Sequence, residues 1–284
     1  MPSKPSISVV GPGRWGRALA ENLVRAGYEV DEIVFPNAQS LRKNCRHLSR
    51  KLQKHTTSLD EARFDAGLVW LCMPDAQIKA VAQSLKSVTN WKNKVVFHSS
   101  GALTSDVLRP LQKLGASVAS VHPLMTFVHG SQANLEGIPF ALEGDATALR
   151  TARQIIKDIG ANSFVIKKQN KVRYHAWATL LSPLLLSFMV AAEQVAAATG
   201  LSSVEVRKKT LPIAKQTLSN YVNLGPAAAF SGPLVRGDTG VVRGHLKALK
   251  GIPEARAVYV ASAQSALRHL PVRNRKQLEK LLKG

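Results

Sequence analysis

Cysteine is nearly absent from this chain. Cys45 and Cys72 are the two in 284 residues, and they supply neither a disulfide framework nor a CxxC metal or redox motif. No metal site is expected, and a reducing, cytoplasmic setting is. Carboxylates are scarce too: 18 Asp plus Glu stand against 39 Lys plus Arg, a formal charge of +21. Such a field attracts nucleic acid, anionic membrane or phosphorylated ligands. Aromatic residues make up only 6% of the chain, and the densest basic stretches, 41–54 and 273–283, lack the interleaved rings of a single-strand binding surface. The charge therefore reads as a solvated basic face, and nucleic acid is not expected as a partner. Long uninterrupted apolar runs are also missing. The N-terminal "MPSKPSISVV" is too short and too weakly apolar to read as a signal peptide. The longest apolar stretch, 176–198, is broken by Thr179, Ser182, Pro183, Ser187, Glu193 and Gln194. It reads as a buried core helix and not as a membrane span.

What is present is a regular grammar of strands and helices. Runs of β-formers at 7–10, 28–35, 66–73, 94–100, 116–122, 139–144 and 162–166 alternate with helical patterns at 14–26, 75–88 and 145–160. That alternation implies a parallel sheet covered on both faces. After Ile166 the strand candidates stop, and helical patterns follow at 168–200, 202–222, 238–249, 253–269 and 273–283. The expected organisation is an α/β domain over 1–167 and an all-helical domain over 168–284.

The first strand runs directly into "GPGRWG", Gly11 to Gly16, and then into a helix. A lone GxGxxG is weak, but strand before and helix after is the context of a dinucleotide-binding turn. Gly11 permits the tight turn, Gly13 lets the backbone approach a pyrophosphate, and Gly16 lets helix and strand pack closely. Pro12, Arg14 and Trp15 complete the loop at the helix amino end, whose N–H groups favour phosphate. The fold class is therefore a Rossmann-type doubly wound sheet followed by an all-helical domain. An acidic residue at the end of the second strand would select NAD. Here the strand ends Phe35-Pro36-Asn37, with Ser40, Arg42 and Lys43 beyond, while Asp31 and Glu32 come too early. NADP is favoured, with NAD possible.

Ligands of such sheets sit at the carboxyl ends of the strands. Three ends carry chemistry: Met73 and Pro74 before Asp75, a candidate helix cap; His98-Ser99-Ser100 before Gly101; and His122 before Pro123. Ser99 and Ser100 could touch nicotinamide or a substrate carboxylate, and His122 could serve as a general acid or base near neutral pH. Lys171, His175, Thr179 and Ser182 fall within about 80° on one face of the long helix, where Pro183 should bend it. In a glycine-rich loop further on, Asp238 is a candidate cap and Arg236 could hold a carboxylate through its bidentate fork.

Taken in order, "VVGPGRWGRALA", "CMPDAQI", "HSSGAL", "VHPLMTF", "KVRYHAWATLLS" and "SGPLVRGD" resemble a bacterial family with a Rossmann-like N-terminal domain and a helical C-terminal domain of unknown function. The likeness runs over nearly the whole chain. More distantly the chain resembles the 6-phosphogluconate dehydrogenase-like group, which includes β-hydroxyacid dehydrogenases, ketopantoate reductases, pyrroline-5-carboxylate reductases and prephenate dehydrogenases. The resemblance implies catalytic roles for Lys171 and His175, which match a lysine and an asparagine one turn apart. It implies the same for Ser99 or Ser100 and for His122, which match a serine and a His-Pro pair. It also implies a homodimer joined through the helical domains. Three departures stand out: Phe35-Pro36-Asn37 where the family often has a Ser-Arg-Ser type sequence, Pro183 where it often has asparagine, and the bulk of Trp15 in the glycine loop.

The expected function is an NADP-dependent oxidoreductase moving hydride between nicotinamide and a C=O or C=N carbon of a small carboxylate, a ketopantoate-like 2-keto acid being favoured. His122 or Lys171 would move the proton, Ser99 and His175 would orient the substrate, and Arg236 would bind its carboxylate. The alternative is a non-enzymatic NAD(P)-binding redox sensor or regulatory protein.

Overall fold

The computed structural model describes residues 4–37, 39, 55–128 and 134–283. Contacts divide the chain into two compact units, Met1–Ser182 and Pro183–Gly284. In the first, strands β1 (Ile7–Val10), β2 (Val30–Phe35), β3 (His55–Ser58), β4 (Leu68–Leu71), β5 (Val95–His98), β6 (Ser117–Pro123), β7 (Pro139–Gly144) and β8 (Asn162–Val165) form one sheet, in the order β3-β2-β1-β4-β5-β6-β7-β8. Neighbours are parallel except β6 and β7. No helix crosses over between these two among the described residues, so the chain returns antiparallel.

Alternation along the strands supplies two faces. Ile7, Val9 and Trp70 point to one core, where α1 (Arg14–Arg25) and a second helix, Ala146–Asp158, seat Leu19, Leu23, Ala152 and Ile155. Val10, Val69 and Leu71 point to the other, beneath α2 (Asp75–Ser84) with Ile78 and Ala82, and α3 (Arg109–Gln112) with Leu111. The helix Ala146–Asp158 is α4. Strand β3 is not evident in the sequence, because "HTTS" is short and polar; its pairing with β2 supplies what its side chains do not.

The division between units falls at Ser182, later than the expected boundary near 167. Helix α5 (Lys171–Leu181) stays with the sheet because it buries Lys171 and Tyr174. The helix then breaks at Ser182 (φ −115, ψ −82), as Pro183 demands, since proline has no N–H for the preceding turn. In the second unit, α6 (Pro183–Ala197), α7 (Ser203–Ala229), α8 (Pro233–Arg236), α9 (Thr239–Ala248), α10 (Pro253–His269) and α11 (Arg275–Lys283) follow. Helix α7 starts at a capping box formed by Ser202 and Glu205. Val242, Leu246, Leu267, Leu278 and Leu282 close a small core between α9, α10 and α11.

The expectation of a buried core helix over 176–198 is overturned. In α6 Ala191 is the buried residue, and Leu184, Leu186, Phe188 and Val190 are exposed. Apolar composition showed that something must cover this helix, not that the same chain does. The stretch Lys168–Ala197 has a mean hydropathy of 1.6 over its most apolar window, enough by length and composition to cross a membrane.

Candidate functional site

Each of the three loop glycines answers a different constraint. Gly11 has φ +85, and a Cβ there would lie 3.0 Å from the Cys72 carbonyl oxygen, so only glycine fits. A Cβ at Gly16 would collide with the Gly11 carbonyl oxygen; its absence lets α1 approach the strand. Gly13 has φ −68 and ψ −163, a conformation open to most residues, and a Cβ there would meet no protein atom within 4 Å. Fold does not require that glycine. What it does is keep the backbone accessible at the amino end of α1, where N–H groups point outward.

The loop forms one wall of a cleft of about 690 Å³. Gly11, Pro12, Gly13, Met73 and Pro74, all expected as nucleotide-binding residues, line it together. Phe35 and Pro36 from the end of β2, and apolar Leu59, Ala80 and Val81, form other walls. The size and the largely apolar lining, with polar backbone at one end, suit a dinucleotide.

The other expected residues are placed differently. Arg14 is exposed at the first position of α1, and Asn37 is exposed after β2. Arg42, Ser40 and Lys43 lie outside the described residues. The Trp15 side chain turns away from the cleft into the core, with ring centres 4.9 Å from Phe127, 6.0 Å from Phe140 and 6.3 Å from Trp70. It neither lines that cleft nor obstructs it, because its position on the helix faces the middle of the sheet. Ser100 is buried, and its hydroxyl accepts from the N–H groups of Ala102 and Leu103 at 3.1 and 2.8 Å. With these bonds it fixes its own turn. Asp75 is the first residue of α2 and not its cap, which is Pro74.

Beyond the cleft, the ends of β5 and β6 and the start of α5 bring Ser99, His122, Lys171 and His175 into one unit. Ser99 accepts a hydrogen bond from the Trp70 indole N–H at 2.8 Å. His122 Nδ1 lies 2.7 Å from the Tyr174 hydroxyl, and its ring centre is 6.0 Å from that of His175. Gly101 makes room for both imidazoles: a Cβ there would lie 2.8 Å from His122 Nε2 and would collide with His175 Cδ2. Behind them Lys171 is fully buried, and its ammonium donates to Ser120 Oγ at 2.6 Å. Ser120 in turn donates to the Ser100 carbonyl at 3.1 Å.

Electrostatics then separate the roles. Burial pushes the His122 pKa down to about 3, helped by the positive charge of Lys171 and by the neighbouring His175 and His98. His122 is therefore held toward its neutral form, which suits it to accept a proton more than to give one. His98 is held near 3 by burial and by Lys171; it accepts from the Ser100 N–H at 3.1 Å, while its other nitrogen lies 3.2 Å from the Thr104 carbonyl. Lys171 falls from 10.5 to about 8 through burial, against the opposing pull of Glu143 and Asp75. Sequence reading missed Ser120, Tyr174 and Glu143. Glu143 is buried and accepts from the Ser105 N–H and, at 2.9 Å, from the Ser105 hydroxyl. Arg236 belongs to the second unit, exposed and 3.5 Å from Asp238.

Comparisons with known proteins agree with this architecture. Residues 1–123 match a Rossmann-like domain, and residues 138–266 match a domain of unknown function, DUF2520. A solved Bacteroides fragilis protein assigned as an NADP oxidoreductase superposes with a TM-score of 0.76 at 19% identity, over 92% of this chain and 97% of that one. The reductive aminase of Aspergillus terreus, solved with NADPH and ethyl-5-oxohexanoate, gives 0.67 at 14% identity, over 98% and 99%. The glycerol-3-phosphate dehydrogenase [NAD(P)+] of Thermoanaerobacter sp. (strain X514) is 28% identical over 116 residues, 38% of this chain. The match spans about a third of that relative's length, 35%. The chain thus carries a Rossmann-like match followed by a DUF2520 match, and it shares its fold with these solved structures.

Proposed function

We propose that this protein is a cytoplasmic, NADP-dependent oxidoreductase acting on the C=O or C=N carbon of a small carboxylate, with a ketopantoate-like 2-keto acid as the favoured substrate. The observation that carries the reading is Gly13, a glycine that neither backbone angle nor packing demands, set at a helix amino end beside a cleft of dinucleotide size. The fold shared with an NADPH-bound reductive aminase supports it. When bound, the nicotinamide supplies or accepts the hydride.

The chain's own residues do the rest. Gly11, Pro12 and Gly13, with the first turn of α1, would hold the pyrophosphate of a bound dinucleotide, and Met73 and Pro74 line the same cleft. Ser99, fixed by Trp70, and His175, half-buried beside Gly101, orient the substrate. Lys171 holds the proton that is delivered in the reduction, at an Nζ positioned by Ser120. A proton donor with a pKa of about 8 is well matched to neutral conditions. Tyr174 fixes the His122 ring, beside which the substrate lies. Isothermal titration calorimetry tests the reading: micromolar NADPH binding is expected, weaker for NADH. Absence of binding for both nucleotides at millimolar concentration would remove the oxidoreductase assignment.

The same reading takes the protein as a homodimer joined through its helical unit. Helices α6 and α7 bury only Ala191 and Val206, while Leu186, Phe188, Leu211, Ile213 and Val222 are exposed. Exposed apolar area on that scale marks an interaction surface, and a second copy would cover it. Sedimentation analysis should give twice 30.7 kDa; a stable monomer at micromolar concentration would count against the assembly.

A further inference from the structure

The lining of the glycine-loop cleft contains one charged side chain among the described residues, Arg17, and no acidic one. Helical geometry fixes the direction it faces. Successive residues of α1 turn by about 100°. Trp15 faces Trp70 and Phe140, toward the middle of the sheet, and Gly16 faces the β1 turn. Arg17, about 200° on from Trp15, is directed toward β2, whose terminal Phe35 and neighbouring Pro36 line the same cleft. Its Nε donates to the Pro12 carbonyl at 2.9 Å. That bond anchors the guanidinium beside the loop and leaves its terminal nitrogens as donors.

In a doubly wound sheet the ribose 2′ substituent of the bound adenosine lies at the end of the second strand, where a carboxylate selects NAD and an arginine accommodates a 2′-phosphate. Neither carboxylate of β2 stands at its carboxyl end: Asp31 and Glu32 lie early in the strand, and Glu32 is buried and accepts from the N–H groups of Arg63 and Phe64, both at 3.1 Å. We infer that Arg17 binds the adenosine 2′-phosphate and sets the preference for NADP over NAD. The inference rests on the dinucleotide reading of this cleft and adds the residue that discriminates between the two cofactors. A guanidinium suits the task because its fork can make two charge-assisted bonds to one phosphate.

Calorimetric titration of the wild type, Arg17→Gln and Arg17→Lys with NADPH, NADH, adenosine 2′,5′-bisphosphate and 5′-AMP tests this. Arg17→Gln is expected to weaken NADPH and the 2′,5′-bisphosphate by about 10- to 100-fold, the scale of lost charge-assisted hydrogen bonds. NADH and 5′-AMP should change by less than about 3-fold, as nucleotides lacking the 2′-phosphate have no such bonds to lose; their retained binding also shows that the loop remains folded. Arg17→Lys, which keeps the charge but not the fork, should fall between the two. Equal weakening of NADPH and NADH would overturn the inference, by placing Arg17 at the pyrophosphate or in support of the loop. Unchanged affinities would overturn it too. Both outcomes leave the dinucleotide reading intact, whereas a wild type that binds none of the four ligands ends both.

Discussion

Gly13→Asp is expected to leave the protein folded, or slightly more stable, while weakening NADPH binding by at least about 100-fold. The two halves of the expectation come from the same position. Gly13 is the cap residue of α1 in an extended conformation, and that helix has no side-chain cap. An aspartate there would meet no protein atom at its Cβ and could accept from a free N–H of the first turn, a substitution worth a few tenths of a kcal/mol over glycine. Its carboxylate would then stand where the pyrophosphate must approach, and like charges so juxtaposed cost several kcal/mol. Thermal melting and calorimetry on the same sample separate the effects. Loss of stability would mean that Gly13 is structural, and intact NADPH binding would detach the loop from the cofactor.

Lys171→Met is expected to do the reverse of an ordinary core substitution: raise stability and lower turnover. Lys171 is fully buried with Ser120 as its close partner, and its pKa is depressed from 10.5 to about 8. Keeping it charged in the folded state therefore costs about 3 kcal/mol at neutral pH. Methionine has a similar shape and no charge, and replacing buried charges by apolar groups is often stabilising by about 1–4 kcal/mol. The pH dependence gives the sign. Below about pH 8 Lys171 is protonated in both states and the penalty is complete. As pH rises from about 8 toward the ordinary 10.5, the folded protein sheds a proton that the unfolded chain retains, and stability rises. The wild type should show that rise and the variant should lack it. Turnover should fall by at least about 100-fold, the usual contribution of a positioned proton donor, and the wild-type reduction rate should decline above about pH 8. A variant that melts earlier, or that turns over normally, would show the buried charge to be purely structural.

What could be read from the sequence followed from local constraints. Gly11 and Gly16, between β-formers and helix-formers, report a steric arrangement that the chain near them must satisfy, and so they pointed to the loop. Pro183 announced the helix break for the same reason. That Ser99, His122, Lys171 and His175 share one unit was not legible, because the strand grammar stops at Ile166 and the expected boundary near 167 put Lys171 and His175 in the helical domain. Nor were their protonation states. His122 is neutral because of its burial and because Lys171, 49 positions later in the chain, lies near it. Lys171 is tied to Ser120 on β6, a residue that looks like any other strand serine. The stripe of Lys171, His175, Thr179 and Ser182 suggested a polar cleft, yet Lys171 is buried, His175 half-buried, and Ser182 ends the helix. Strand β3 was missed because its polar residues pair through backbone alone.

The inward turn of Trp15 makes the glycine loop optically reportable. Its indole and that of Trp70 sit together in the core just behind the nucleotide cleft, whereas Trp91 is buried on the opposite face of the sheet and Trp177 is exposed. A reduced nicotinamide absorbs where indole emits, so resonance energy transfer from this pair would give an intrinsic, label-free gauge of cofactor occupancy if the proposed dinucleotide binds.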